Sequence, residues 1–315
     1  MNHLLPEDRI YLGQSDIQIS ALGVGAWAWG DRMFWGYGKG GFSDADIEAA
    51  FKASLDAGVN FVDTAEMYGR GRSEQLIGQM LPRMERPVVV ATKFFPWPYR
   101  LTRGRLLAAL RKSLERLRLQ QVDLYQIHWP FPPVPIETWM QALADAVEQG
   151  LTRTVGVSNY NLQQTKRAQA ALAARGIPLA SNQVQYSLLM RKPEREGLLD
   201  YCREHRITLI AYSPLGQGVL TGKYSADNPP PGLRGRRYNR SYLERVSPLL
   251  ELLREIASAH HCTPAQVALN WVICKGAVPI PGAKNERQAI DNAGALGWRL
   301  SKEEVQALDR ASDRI

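Results

Sequence analysis

The sequence predicts an α/β chain folded as a (β/α)8 barrel whose bottom is closed by an N-terminal β-hairpin. Eight short apolar runs recur along the 315 residues, each separated from the next by an amphipathic segment with helical start and stop signals. The runs are apolar on both faces, as strands of a parallel sheet covered all round must be. Residues 9–19 break this pattern, because Ile10-Tyr11-Leu12, Gln14-Ser15-Asp16 and Ile17-Gln18-Ile19 read as strand, turn and strand.

The strand candidates are 22–25, 59–63, 88–92, 122–127, 154–158, 181–185, 208–212 and 277–280, most of them rich in Val and Ile. Helices are expected over 44–57, after Ser43 and stopping at Gly58, and over 136–149, after Pro135 and stopping at Gly150. Thr263-Pro264-Ala265-Gln266 and Ser301-Lys302-Glu303-Glu304 have capping-box spacing, the first with Pro at its first helical position. No repeat, linker or low-complexity tract divides the chain, so residues 1–315 are expected to form one barrel domain.

Composition narrows the function classes. The hydrophobic fraction is 45% and the charged fraction 22%, ordinary values for a globular chain. The formal charge of +8 comes from 39 basic and 31 acidic residues, mostly scattered over helix faces such as 103–118. Scattered charge is not the continuous basic stripe that nucleic acid requires, so no nucleic-acid partner is expected. Cys202, Cys262 and Cys274 show neither metal-ligand spacing nor a disulfide framework; no metal and a reducing, cytoplasmic location are expected. No apolar segment succeeds Met1-Asn2-His3, and no run is long enough to span a bilayer, so no membrane partner is expected. A monomer or weak oligomer is expected.

Barrels place chemistry at the C-terminal ends of their strands. Asp63 in Val62-Asp63-Thr64, Lys93 in Thr92-Lys93-Phe94 and His128 in Ile127-His128-Trp129 fall there, with Tyr68 five residues beyond Asp63. These are the parts of a carbonyl-reducing site. Tyrosine is a suitable proton donor but its ordinary pKa of ~10 is high, and a neighbouring ammonium, itself anchored by a carboxylate, is expected to lower it. His128 would position the substrate oxygen. Taken singly each has another reading, Asp63-Thr64 as a helix cap or His128 as a core residue; together at strand ends they point to catalysis.

Phe61-Val62-Asp63-Thr64-Ala65-Glu66-Met67-Tyr68-Gly69, Ala91-Thr92-Lys93-Phe94 and Gln126-Ile127-His128-Trp129-Pro130 resemble the signatures of the aldo-keto reductases. The likeness continues through Gly156-Val157-Ser158-Asn159-Tyr160, Asn182-Gln183-Val184-Gln185-Tyr186, Ala211-Tyr212-Ser213-Pro214-Leu215 and Ile280-Pro281-Gly282-Ala283-Lys284, in order over nearly the whole chain. It is nearest to bacterial and plastid members, including relatives that reduce pyridoxal. The resemblance implies a nicotinamide cofactor, NADPH/NADP+ with NADH weaker, a small carbonyl substrate, and a catalytic tetrad on Asp63, Tyr68, Lys93 and His128. It places the nicotinamide carboxamide on Ser158, Asn159 and Gln183, whose side chains offer donors and acceptors, and stacks the ring on Tyr212. Ser213, Leu215 and Gly216 continue the cofactor set.

Gly282-Ala283-Lys284-Asn285 opens a helix carrying Gln288, Asp291 and Asn292, and a helix N-terminus suits a phosphate. The family places the adenosine 2′-phosphate and adenine on Gly282, Lys284, Gln288, Asp291 and Asn292. Gly282 and Gln288 stand where some branches carry Lys and Arg, leaving that phosphate to Lys284 and Arg287. A second basic cluster, with Lys223, Arg234, Arg236 and Arg237 around Pro229-Pro230-Pro231-Gly232, reads as a loop with Asp227 as its lone carboxylate. Two readings stand for residues 222–240: a strap that folds over the cofactor pyrophosphate, or a solvated loop.

Aromatic residues crowd the same face: Trp29 within 27–36, Trp97 within 94–99, and Trp129 with Phe131. They fit a pocket for flat or apolar carbonyl compounds, with Trp29, Trp97 and Trp129 as its lining, or simply a covering for the barrel mouth. Gly23-Val24-Gly25-Ala26-Trp27-Ala28 matches a dinucleotide fingerprint, but residues 29–36 have no helical period, so that reading fails. The function expected is NADPH-dependent reduction of aldehydes and ketones, with Tyr68 as general acid. The alternative is a cofactor-sensing regulatory subunit with weak turnover, similar to the potassium-channel β subunits.

Overall fold

The computed structural model describes residues 4–38 and 41–315; the polar start Met1-Asn2-His3 lies outside them. Strands β1 (Arg9–Tyr11) and β2 (Gln18–Ser20) pair antiparallel, Ile10 opposite Ile19, and form the expected hairpin. Eight parallel strands come after it: β3 (Gly23–Gly25), β4 (Phe61–Asp63), β5 (Val89–Phe94), β6 (Val122–Ile127), β7 (Thr152–Ser158), β8 (Leu179–Gln185), β9 (Thr208–Tyr212) and β10 (Val278–Ile280). They lie in sequence order in one sheet. Gly25 N–H donates to Pro281 O at 3.0 Å, bringing the two edge strands together and closing the barrel.

Helices cover the outside. They are α1 (Asp44–Asp56), α2 (Arg72–Met80), α3 (Arg103–Leu117), α4 (Ile136–Glu148), α5 (Leu162–Ala173), α6 (Lys192–Arg195), α7 (Leu198–Glu204), α8 (Leu233–Arg237), α9 (Arg240–Ala259), α10 (Pro264–Cys274), α11 (Glu286–Ala293) and α12 (Lys302–Ser312). Ser43, Thr263 and Ser301 each cap a helix reciprocally with Asp46, Gln266 and Glu304, so both capping boxes read from the sequence form. None of the helices of the described residues is long and apolar enough to cross a membrane, and no cluster of metal-ligating side chains occurs among those residues.

Two apolar layers hold this together. Between sheet and helices lie residues such as Leu76, Ile77, Leu110, Trp139, Leu143 and Trp271, all buried. Inside the barrel, Leu12, Ile17 and Ile19 of the hairpin join Phe61, Val89, Ala91, Leu124, Ile210 and Val278, so the hairpin fills the bottom. Its turn sits tight against β8: Gly13, at φ +61, has Ala180 backbone only 2.6 Å from where a Cβ would stand. Gly13 N–H also donates to Thr208 Oγ1 at 2.8 Å.

The expected loop at 222–240 is not continuous. Helix α8 forms after Gly232, and α9 starts at Arg240 with Asn239 accepting from Tyr242 N–H at 3.0 Å. Arginine is a good helix former once the prolines are passed. Asp227 ion-pairs with Arg240 at 3.3 Å.

Candidate active site

The parallel register sets the site. Gly25 lies opposite Asp63, Asp63 opposite Ala91, and Lys93 opposite Gln126, so polar residues at the upper ends of β4, β5, β6 and β8 converge. Asp63 and Lys93 are fully buried, and His128 nearly so. Lys93 Nζ donates to Asp63 Oδ2 at 2.5 Å, to Thr64 O at 2.8 Å and to the Tyr68 hydroxyl at 3.3 Å. All three ammonium protons are therefore used. Because Tyr68 accepts from Lys93, its own proton is left to point elsewhere. Thr64 does not cap a helix; its hydroxyl bonds Ser73 Oγ at 2.8 Å.

The electrostatics differ from the sequence expectation in one respect. Burial, reinforced by the Asp63 carboxylate, pushes the Tyr68 phenol well above its ordinary value instead of lowering it. The Lys93 charge is already engaged by Asp63, and burial draws the Lys93 pKa down. Tyr68 is thus held protonated, the state a proton donor needs. Burial, with the Lys93 charge nearby, drives His128 well below the usual imidazole range, so the ring is neutral. It stands edge-on to Tyr68 with centroids 5.8 Å apart, and its buried Nδ1 has no partner among the described residues.

Asp63, Tyr68 and His128 line a cavity of about 1280 Å³ on the upper face, large enough for a dinucleotide and a small substrate together. Ser158, Asn159, Gln183, Tyr212, Ser213 and Leu215 line it too. The donors of Ser158 and Asn159 are already committed: Ser158 Oγ to Gln183 O at 2.8 Å, and Asn159 Nδ2 to His128 O at 3.0 Å and Ser158 Oγ at 3.1 Å. Gln183 Nε2 donates to Asp63 Oδ1 at 2.8 Å, and the Tyr212 hydroxyl to Asn159 Oδ1 at 2.9 Å. This group therefore offers a ligand mainly acceptor oxygens. Gly216 is buried beneath Leu189 and stays out of the cavity, because its left-handed turn (φ +54) carries the chain inward.

The other end of the cavity is basic, with Lys223, Arg234, Arg237, Lys284 and Arg287 alongside Gly282, Gln288, Asp291 and Asn292. Asn285 caps α11 by accepting from Gln288 N–H at 3.0 Å, while Gln288 Oε1 accepts from Lys284 N–H at 2.9 Å. Asp291 accepts from Thr263 Oγ1 at 3.0 Å, and Asn292 Nδ2 donates to Gly282 O at 3.3 Å. Lys284 Nζ donates to Trp35 O at 3.3 Å and lies 4.5 Å from the centre of the Trp35 ring. Burial, then Arg234 and Lys223, pull the Lys284 pKa down to about 8. Arg234 also faces the Trp35 ring, at 5.6 Å.

Two of the three tryptophans expected to line the pocket do not. Trp29 is fully buried beneath the barrel rim, donating from Nε1 to Ala283 O at 2.8 Å and packing edge-on against Phe51. Trp97 borders a separate shallow depression with Phe131 and Pro132, while Trp129 does line the main cavity. Trp27, Trp35, Met67 and Phe95 complete the aromatic and apolar wall. Sequence reasoning passed over Gln126, whose Nε2 lies 3.4 Å from Asp63 Oδ1; a glutamine next to the last residue of the Leu124–Ile127 run was the available signal. It also passed over Arg32 and Arg70, which line the cavity and which nothing in the sequence set apart from other surface arginines.

Residues 21–313 match the model of the Aldo/keto reductase family. The chain belongs to that family. Among its relatives, the chloroplastic pyridoxal reductase of Arabidopsis thaliana is 43% identical over 320 residues, covering 98% of this chain and 86% of that protein. A glycerol dehydrogenase of Gluconobacter oxydans superposes with a TM-score of 0.87 at 28% identity, covering 99% of this chain and 97% of that one. An aldo-keto reductase of Klebsiella pneumoniae in complex with NADPH superposes at 0.77 and 28% identity, covering 100% and 96%. Family membership makes the protein an oxidoreductase with a (β/α)8 barrel, as the sequence led one to expect.

Proposed function

We propose that the protein is a single-barrel, NADPH-dependent reductase that converts small aldehydes, and ketones, to alcohols. The observation that carries this reading is the Asp63–Lys93–Tyr68 chain, which runs from a buried ion pair to a half-buried phenol at the floor of a cavity sized for cofactor and substrate. The residues fit the cofactor. Asn159 Oδ1 and Gln183 Oε1 offer acceptor lone pairs to a carboxamide NH2, Tyr212 offers a flat ring, and Lys284 with Arg287 offers charge to a 2′-phosphate. The NADPH complex of the Klebsiella pneumoniae relative supports the same choice of cofactor.

The bound cofactor supplies the hydride. Everything else falls to the chain. The substrate carbonyl oxygen sits between the Tyr68 hydroxyl and the His128 ring, which orient it by two hydrogen bonds and so turn a bimolecular encounter into a positioned one. Tyr68 donates its proton to that oxygen as negative charge grows there. Lys93 then faces a phenolate 3.3 Å away, stabilises it, and is itself kept in place by Asp63 and Thr64. Three cysteines without a disulfide partner fit a reducing, cytoplasmic setting.

The test is loss of reduced-cofactor absorbance with NADPH and with NADH over a panel of aldehydes that includes pyridoxal. Turnover with NADPH preferred supports the reading. Tight NADPH binding without turnover of any aldehyde overturns it in favour of a cofactor-sensing subunit.

A further inference from the structure

Arg70 occupies an unusual position. It comes directly after Tyr68-Gly69 in the turn beyond β4 and holds a left-handed backbone, φ +58 and ψ +41. A non-glycine residue is strained there, and strain of this kind gathers at functional sites. Its side chain is exposed, lines the cavity that holds Tyr68 and His128, and makes no ion pair or hydrogen bond among the described residues. Two residues apart, the Cα atoms of Arg70 and Tyr68 are separated by no more than about 7 Å.

A second guanidinium approaches from the loop after β3. Gly69 and Gly30 are in contact, with Gly30 O 2.7 Å from where a Gly69 Cβ would stand. Arg32 is two residues past Gly30, lines the same cavity, and likewise has no ion pair or hydrogen bond among the described residues. Arg72, on the same seam, is by contrast bound to Asp44 at 2.8 Å. Besides Asp44, which Arg72 neutralises, the seam has Asp31, which also lines the cavity and accepts from the N–H groups of Met33 and Phe34 at 2.9 and 2.8 Å. Two guanidiniums without a partner among the described residues, against one capped carboxylate, leave this part of the wall positive.

We propose that Arg70, assisted by Arg32, selects aldehydes that carry an anionic group, a carboxylate or a phosphate, several ångströms from the carbonyl. The inference rests on the reductase reading above. Arginine suits either anion, since its planar fork takes two oxygens at once. The carbonyl is held by Tyr68 and His128, and the anion is held at the rim, so binding far from the reacting carbon orients it. Because the guanidiniums face solvent, the preference weakens as salt is raised.

The experiment compares kcat/KM within matched pairs at fixed NADPH: 4-carboxybenzaldehyde against benzaldehyde for the carboxylate, and pyridoxal 5′-phosphate against pyridoxal for the phosphate. The expected result is an anionic-over-neutral ratio above one in at least one pair. The Arg70→Ala variant lowers that ratio by about two- to fivefold, mostly through KM, and Arg70→Lys restores part of it. A ratio taken on one enzyme preparation is unaffected by partial unfolding of the variant. The pair that responds identifies the anion. A ratio near one in both pairs, or a ratio unchanged in the Arg70→Ala/Arg32→Ala double variant, overturns the proposal while the reductase stands. No turnover of any of the four aldehydes overturns both.

Discussion

The side-chain amide of Gln183 donates to Asp63 Oδ1 at 2.8 Å, across the barrel from a strand four places along the sheet. The residue that faces the proposed carboxamide thus grips the carboxylate that holds Lys93. With Gln126 approaching the same oxygen, Asp63 is fixed as a hub and not merely as a partner in one ion pair. Buried carboxylates are tolerated when paired and fully bonded, and this one is.

Asp63→Asn therefore has a structural cost as well as a catalytic one. It leaves the Lys93 ammonium buried without a counter-charge, which costs about 3–5 kcal/mol. It also turns an amide NH2 toward the donors of Lys93 or Gln183. The pH dependence has a definite sign. The folded-state pKa of Lys93 falls below its unfolded value, so the unfolded chain holds more protons in that window, and the variant gains stability as pH rises toward ~10.4. Urea denaturation at pH 7 and pH 9.5 checks this; a variant as stable as wild type at pH 7 would remove Asp63 from its hub role.

Tyr68→Phe keeps the ring and removes the proton. Turnover should fall by about 10²–10⁴, with NADPH affinity within a few fold of wild type. Because burial holds Tyr68 protonated to well above pH 10 and His128 neutral well below pH 6.5, neither group titrates in the intervening range. Neither group therefore breaks the kcat profile near neutrality at saturating cofactor and substrate, and a fall on the alkaline side would mark loss of the Lys93 proton, whose pKa burial lowers. A break near neutrality in the wild type, lost in Tyr68→Phe, would show that cofactor binding resets the phenol.

The barrel itself was legible because its strands are short, apolar and regularly spaced, and β6 and β9 end where the Val and Ile runs end. The positions of Asp63, Lys93 and His128 were legible for the same reason: a polar residue closing an apolar strand marks the upper rim. Loop side chains were not. Trp29 looks identical to Trp27 in sequence, yet a hydrogen bond to Ala283 O buries it, a relation between residues 254 apart. Arg70 matters through the partner it lacks among the described residues, and a missing partner leaves no trace in a sequence. Nor does the commitment of the Ser158 hydroxyl to Gln183 O, or of the Asn159 amide to Ser158 Oγ and His128 O.

Gly13→Ala probes the hairpin that fills the barrel bottom. The left-handed backbone costs an alanine about 1–2 kcal/mol, and the Ala180 backbone leaves no room for the methyl, adding about 1–3 kcal/mol of overpacking. The urea midpoint should fall accordingly, while KM for the aldehyde stays near wild type in the fraction that folds, because the substitution lies at the opposite end from Tyr68. An unchanged midpoint would mean that the hairpin does not contribute to the stability of the barrel.

Lys284 gives the last prediction, and its direction is set by the pKa of about 8 that burial and neighbouring cations impose. A phosphate dianion bound beside the ammonium stabilises its charged form, so the pKa in the complex is higher than in the free protein. Between those two values, binding takes up a proton. NADPH affinity should accordingly be level from pH 7 to about 8 and then fall, by up to about tenfold per pH unit. NADH, which lacks the 2′-phosphate, should show no such fall. Lys284→Arg carries a charge that does not titrate in this range and should abolish the break while retaining NADPH preference. Lys284→Ala should abolish both. Titration of intrinsic tryptophan fluorescence with each cofactor, from pH 7 to 9.5, measures all of this, with Trp35 beside the ammonium as a local reporter. Parallel curves for NADPH and NADH would place the 2′-phosphate on Arg287 or Arg234 instead.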